Sequence, residues 1–234
     1  MDTKTEARIG ATIRGHAQKP ARSGTLTAWL ASCGVVGPVL YVLSFTVAGF
    51  MRPGYSPIHR AVSDLGLGPT AWFVNGAGVL NCLLLTVWVV AFYRHTRAAL
   101  PTAWRGTCAV LLELPALGYA VASIFTEAPA TLEIHSWVGA NLGLVGPVLV
   151  FLVLGFALRV NEGWRGWSTY SFVASGLTAL LVGVTVWAFS PGSLISAARL
   201  EGLLERAVII ETLAWYVYAG WRIARDEYVA AMHA

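Results

Sequence analysis

Apolar residues along this chain gather into six long runs, and most charged residues lie in the segments between them. The runs cover Thr27–Phe50, Trp72–Tyr93, Gly106–Thr126, Ser136–Leu158, Tyr170–Phe189 and Ala207–Ile223. A helix needs about 20 apolar residues to cross a hydrocarbon layer ~30 Å thick, and only there must every backbone polar group bond within its own segment. The pattern therefore predicts an all-α fold, a polytopic transmembrane helical bundle of about six spans. The sixth run is the shortest and carries a glutamate. Residues 1–26 read as a polar tail, 27–224 as the membrane domain and 225–234 as a second tail.

The runs fall into two sets of three. Gly34-Val-Val-Gly37-Pro38-Val39-Leu40 in the first has a counterpart in Gly143-Leu-Val-Gly146-Pro147-Val148-Leu149 in the fourth. Phe73-Val74 and Thr86-Val87-Trp88 in the second match Phe172-Val173 and Thr185-Val186-Trp187 in the fifth. Ala109-Val110-Leu111-Leu112-Glu113 in the third matches Ala207-Val208-Ile209-Ile210-Glu211 in the sixth. A duplication of three spans enters the membrane with opposite sense, which makes a 3+3 inverted repeat with a site between its halves. Proline at 38 and 147 removes a backbone donor and predicts a kink in each first helix.

Composition agrees with the pattern: 56% of the 234 residues are hydrophobic and 12% charged, against about 25% charged in soluble domains. All Lys and Arg except Arg52, Arg60, Arg199 and Arg206 lie before the first span, between spans two and three, between four and five, or at the end of the sixth. The positive-inside rule then places both termini in the cytoplasm of a multi-pass cell-membrane protein. Trp29, Trp72, Trp104, Trp137, Trp164, Trp167 and Trp221 lie near span ends, where an amphipathic ring suits the interface. The basic excess fits an anionic leaflet and requires no nucleic acid. Cys33, Cys82 and Cys108 lie inside spans as small hydrophobes.

Glu113 and Glu211 are acids inside apolar runs. A charged carboxylate there is costly, so such a residue faces the bundle interior, paired or protonated, and is a candidate proton donor. Asn81 and Asn141 are also intramembrane and polar. The connection Arg52-Pro-Gly-Tyr55-Ser-Pro57-Ile-His59-Arg60-Ala-Val-Ser63-Asp64-Leu-Gly66 is dense in polar groups. After Pro57 it reads as a short helix with His59, Ser63 and Asp64 near one face and Arg60 beside Asp64. Glu127, Glu133, His135, Glu205 and Arg206 join it at the same end. Arg60 and Arg206 suit a phosphate or carboxylate, which guanidinium holds in a fork. The expected catalytic residues are thus Asp64, Glu113, Glu211 and His135. Tyr55, His59, Arg60, Arg206, Asn81 and Asn141 are expected to line the substrate site. With only His59 and His135 at that end and no HxxxH spacing, neither a metal nor another cofactor is expected.

The run Arg52-Pro-Gly-Tyr-Ser-Pro, then Ala61-Val-Ser-Asp-Leu-Gly66 and Trp72, resembles an uncharacterised family of small bacterial six-span membrane proteins, domain of unknown function nine-nine-eight. The stretch Phe125 to His135 and the pair Glu205-Arg206 resemble it too. The resemblance covers most of residues 27–224. It implies a polytopic membrane protein and carries no activity.

Two functional classes follow. One is a membrane enzyme doing acid/base chemistry on a lipid or isoprenoid, most specifically a proton-initiated isoprenoid or terpene cyclisation, in which aromatic faces would stabilise a cation. The other is a proton-coupled small transporter or lipid-handling protein without covalent chemistry. A structural or regulatory membrane subunit is the third option. The expected partners are membrane lipids, a hydrophobic small molecule and, for so small a protein, a second copy of the chain.

Overall fold

The structure is a computed structural model that describes residues 21–188, 190, 192, 194 and 198–233. Lys4, Arg8, Arg14 and Lys19 of the expected polar tail, and Phe189 at the end of the fifth run, lie outside the described residues. Six long helices carry the chain: α1 Ala21–Met51, α2 Ala71–His95, α3 Thr102–Ile124, α4 Leu132–Leu158, α5 Arg165–Ala188 and α6 Glu201–Met232. There is no strand among the described residues. The first five are long and apolar enough to cross a membrane. α6 is longer than its apolar run at both ends. Its polar extension beyond Ile223 continues as helix, with Arg222 and Asp226 paired at 3.9 Å across one turn and Glu227 bonded to His95 of α2 at 2.8 Å.

Each helix packs on the next in sequence, and α1 packs on α6, so the six close into a ring. Any up-down ring of six has these neighbours. The duplicated motifs have a more specific echo. The Thr86 hydroxyl of α2 bonds Glu113 of α3, and the Thr178 hydroxyl of α5 bonds Glu211 of α6 at 2.5 Å. Each third-helix acid is therefore answered by a threonine of the helix before it. The match is not residue for residue, because Thr185, the sequence counterpart of Thr86, bonds Leu181 of its own helix.

The two prolines act differently. Pro38 sits inside the continuous α1. In α4 the turns before Pro147 widen into a π-helix over His135–Val145, and Asn141 donates its side-chain amide to the carbonyls of Ser136 and Trp137 at 3.1 Å each. Two glycines in that stretch, Gly139 and Gly143, lower the cost of an irregular backbone. The carbonyl oxygens left over by the wider turn find a side chain rather than lipid.

Packing divides the bundle across its length. At the end where α1 begins and α6 finishes, Trp88, Phe92, Phe151, Trp167, Trp215 and Tyr216 form a solid aromatic core. Trp215 stacks on Phe151 at 4.9 Å and meets Trp88 edge to face at 6.1 Å. Trp167, expected at the interface, belongs to this core at 2% exposure, whereas Trp29, Trp72 and Trp137 are over 70% exposed. Trp167 faces inward because Arg222 lies over its ring, 5.2 Å away, and Trp215 packs edge-on. At the opposite end, which holds the 52–70 connection, a smaller cluster around Tyr41, Phe45, Tyr119 and Ile209 leaves room for polar groups.

Two helix contacts depend on the lack of a side chain. Gly220 of α6 faces the Ala31 carbonyl and the Gly34 backbone of α1, where an added Cβ would lie 2.9 Å from Ala31 O. Gly118 of α3 faces Gly143 of α4, and an added Cβ would come within 2.7 Å of Gly143 Cα. Backbone cannot yield as a flexible side chain can. Gly118→Ala is therefore expected to destabilise the bundle by about 1–3 kcal/mol, the usual cost of overpacking. Gly106→Ala, where nothing lies within 4 Å, should be neutral or slightly stabilising. Melting in detergent compares the two, and an unchanged Gly118→Ala midpoint refutes the tight contact.

Candidate functional site: a lidded polar chamber

The 52–70 connection folds over the start of α6 as a lid. Gly54 and Gly68 adopt left-handed φ values of 71° and 80° at its turns, which glycine accepts without strain. Between them the chain makes a hydrogen-bonded turn at Ser56–Arg60 and one 3-10 turn at Ser63–Gly66. The expected helix running on from Pro57 is absent because the segment's backbone groups are spent on other elements. Arg206 donates through Nη1 to the carbonyls of Pro57 and Arg60 at 2.8 Å each and to its own Gly202 at 2.9 Å, and through Nη2 to the Tyr55 hydroxyl. Tyr55 passes its own proton to the Ala61 carbonyl at 2.7 Å. Leu203 N–H meets Ile58 O at 3.0 Å. Arg52 closes the loop from the other side, donating to the carbonyls of Asp64 and of Leu67, the latter at 3.2 Å.

Beneath this lid lies a cavity of about 50 Å³, room for one or two waters. Tyr41, Ser63, Asn75, Tyr119, His135 and Glu205 contribute to its wall. Glu205 keeps some surface as a residue, but its carboxyl group is enclosed by protein and accepts the Val62 N–H at 2.7 Å. It precedes the sixth apolar run. Burial first, then the nearby negative charges of Glu127 and Asp64, push this acid up from 4.5 to about 7, and the Val62 N–H and the Arg206 charge only partly oppose the rise. Ser63 donates to Glu127 Oε1 at 2.8 Å, and His135 Nε2 lies 3.7 Å from the same oxygen.

The start of α4 sets the imidazole. His135 Nδ1 lies 3.0 Å and 2.9 Å from the carbonyls of Ala122 and Phe125, groups that the end of α3 leaves without intrahelical partners. Carbonyls only accept, so Nδ1 carries the hydrogen. In the neutral ring Nε2 then offers its lone pair toward Glu127. Deeper in the bundle the side-chain amide of Asn81 is buried without a hydrogen-bond partner among the described residues, and the Tyr119 hydroxyl of the cavity wall neighbours that of Thr212. The Tyr41 and Tyr119 rings meet at 5.6 Å beside the cavity.

The other predicted residues are distributed around this chamber. Asp64 pairs with Arg60 at 3.2 Å and faces a surface recess that also holds His59, Glu127, Arg199 and Glu201. His59 Nδ1 meets the Arg199 carbonyl at 2.7 Å. Glu127 thus stands between the recess and the chamber. Glu113 and Glu211 lie on the α2–α3 and α5–α6 seams with their threonines, and neither lines the chamber. Asn81 is fully buried against Gly37 of α1, whereas Asn141 is exposed on α4. Glu133 is exposed. Tyr41, Asn75, Tyr119 and Ser123 of the chamber wall escape a sequence reading, because a hydroxyl or amide inside an apolar run looks the same whether it lines a cavity or a helix contact. Among the described residues no three His, Cys, Asp or Glu side chains are placed to hold a metal ion.

A raised acid gives the fold a pH signature. The folded chain holds the Glu205 proton more tightly than the unfolded chain does, so this stabilisation is complete below about pH 4.5 and is lost as pH rises through about 7. The melting midpoint in detergent is expected to fall between pH 5 and pH 8, and Glu205→Gln should flatten that fall. The same slope in both proteins would show that Glu205 titrates normally.

No curated protein and no solved structure matches the chain. A family profile described as a protein of unknown function (DUF998) matches residues 35–222. That match takes in five of the six helices from near their starts, the lid and the whole chamber, and the chain belongs to this family of unknown function.

Proposed function

We propose that this protein is a membrane enzyme that performs acid/base chemistry on a lipid or isoprenoid molecule at its lidded end. The observation that carries the reading is that Glu205, His135 and Ser63 line one cavity under the lid, with Glu127 held beside it by Ser63 at 2.8 Å and lying 3.7 Å from His135. An acid poised at about 7 is both proton donor and acceptor at neutral pH, which is the condition for efficient general catalysis. Glu205 is the proton donor in this reading. His135, with Nε2 facing the carboxylate, and Glu127, with one side on the recess, exchange that proton with solvent. Ser63 orients Glu127. Asp64 and Arg60 belong to the mouth, and Glu113 and Glu211 hold the helix seams.

Proton-initiated isoprenoid cyclisation is the most specific form of this reading. It asks an acid to protonate a double bond beside aromatic rings, and Tyr41 and Tyr119 supply rings next to Glu205. A cavity of about 50 Å³ holds water and not an isoprenoid, so cyclisation requires the lid to lift. A proton-coupled binding protein is the second reading, favoured by the unpartnered Asn81 amide and the Tyr119 and Thr212 hydroxyls near the chamber. The aromatic core beyond them closes the route to the other end.

The test is turnover in proteoliposomes of a panel holding geranylgeranyl diphosphate, a polyprenyl phosphate and phosphatidylglycerol, read by mass spectrometry. Glu205→Gln and Glu127→Gln are expected to lower the rate by about 100-fold or more, and Glu113→Gln by less than about fivefold, a surface-type effect. Full turnover in both chamber variants removes the acid/base reading. Proton uptake on lipid addition, with no product, favours the binding protein.

A further inference from the structure

The outer seam between α1 and α6 carries a continuous groove. Its head, about 520 Å³, lies under the lid between Phe45, Gly49 and Tyr55, with Arg52 and Arg206 in its wall. Through Ile210 it continues into a stretch of about 490 Å³ lined by side chains such as Val39, Leu43 and Ala214 and reaching Trp221. Arg206 to Trp221 spans about 22 Å of helix at 1.5 Å per residue. That exceeds the depth of one leaflet, half of a ~30 Å hydrocarbon layer.

The geometry points to a binding site for an anionic phospholipid, with its phosphate on Arg52 and Arg206 and one acyl chain in the groove below. The charge balance supports it. Both guanidinium groups are partly buried, and neither forms an ion pair with a carboxylate among the described residues. Their named bonds run to carbonyls and a phenol, which fix the groups in place, and the neighbouring Glu205 carboxyl turns into the chamber, away from the groove. Two such cations at the head of an apolar slot favour a ligand that brings a negative phosphate and a hydrocarbon tail together. A zwitterionic headgroup would add a third cation to the same place. Successive helix residues point about 100° apart, so Glu205 turns into the chamber while Arg206 faces the groove. The site stands on the seam alone and does not depend on the acid/base reading.

Native mass spectrometry of the full chain in neutral detergent tests it, with dioleoyl-phosphatidylglycerol, dioleoyl-phosphatidylcholine and inorganic phosphate as probes. Phosphatidylglycerol is expected to bind about tenfold tighter than phosphatidylcholine, a difference of ~1.4 kcal/mol. Arg52→Gln should weaken it by a similar factor. Ala214 is exposed in the groove wall, so Ala214→Trp fills the tail path without disturbing the lid and should weaken binding about tenfold as well. Glu205→Gln should bind as the parent does, even if it abolishes turnover. Equal binding of the two lipids, undiminished binding by Ala214→Trp, or displacement of phosphatidylglycerol by inorganic phosphate at equal concentration would each overturn the site.

Discussion

Inside a hydrocarbon layer a polar group has no water to fall back on, and the arrangement of this protein follows from where its polar groups find partners instead. Most backbone groups are satisfied by the helices themselves. The exceptions gather at one end. The widened turns of α4 are closed by Asn141, the open carbonyls of α3 by His135, and the lid carbonyls by Arg206 and Arg52. Each of these bonds also positions a functional group. The carbonyls that hold His135 Nδ1 decide which way its Nε2 looks, and the lid backbone that ties down Arg206 supplies the Val62 N–H that holds Glu205. Backbone satisfaction and site geometry are here the same set of contacts.

The other end shows the opposite solution. Large aromatic rings interdigitate there, and Trp215 and Tyr216 turn their polar tips to Ser171 and to the Leu112 carbonyl. The bundle is thus a packed base under a polar cap. Dispersion and area burial hold most of the base, with the His95–Glu227 pair bonded at its rim. Charge and hydrogen bonds hold the cap, and Glu205 makes the cap sensitive near neutrality. Any opening that admits a substrate is cheapest where few apolar contacts must break, which is at the cap.

The helices were readable because a bilayer forces one period-free signal, length and apolarity, on every crossing. The first five runs appear as helices close to their expected bounds, and the family resemblance carried by the first connection holds. The polar cap was less readable. Glu205 and Arg206 are neighbours in sequence, yet one turns its carboxyl into the chamber and the other grips the lid carbonyls, a distinction set by helix phase against a loop 143 to 149 residues away. Glu113 and Glu211 stood out in the sequence by being rare among apolar residues, but rarity does not tell a cavity from a seam. Each finds a threonine, a partner whose hydroxyl gives no signal of its own in a hydrophobic run. Trp167 is the same lesson for aromatics, since position near a span end does not say which way the ring points.

α6 is one unbroken helix of 32 residues, about 48 Å long at 1.5 Å per residue. Arg206 near its first turns grips the lid, Gly220 presses on α1, and Glu227 holds His95 at the far end. A rod pinned by close backbone contact at one point behaves as a lever with that contact as its fulcrum. A displacement of its lid-side end is therefore carried to the His95 contact, so the lid and the opposite end of the bundle share one rigid element.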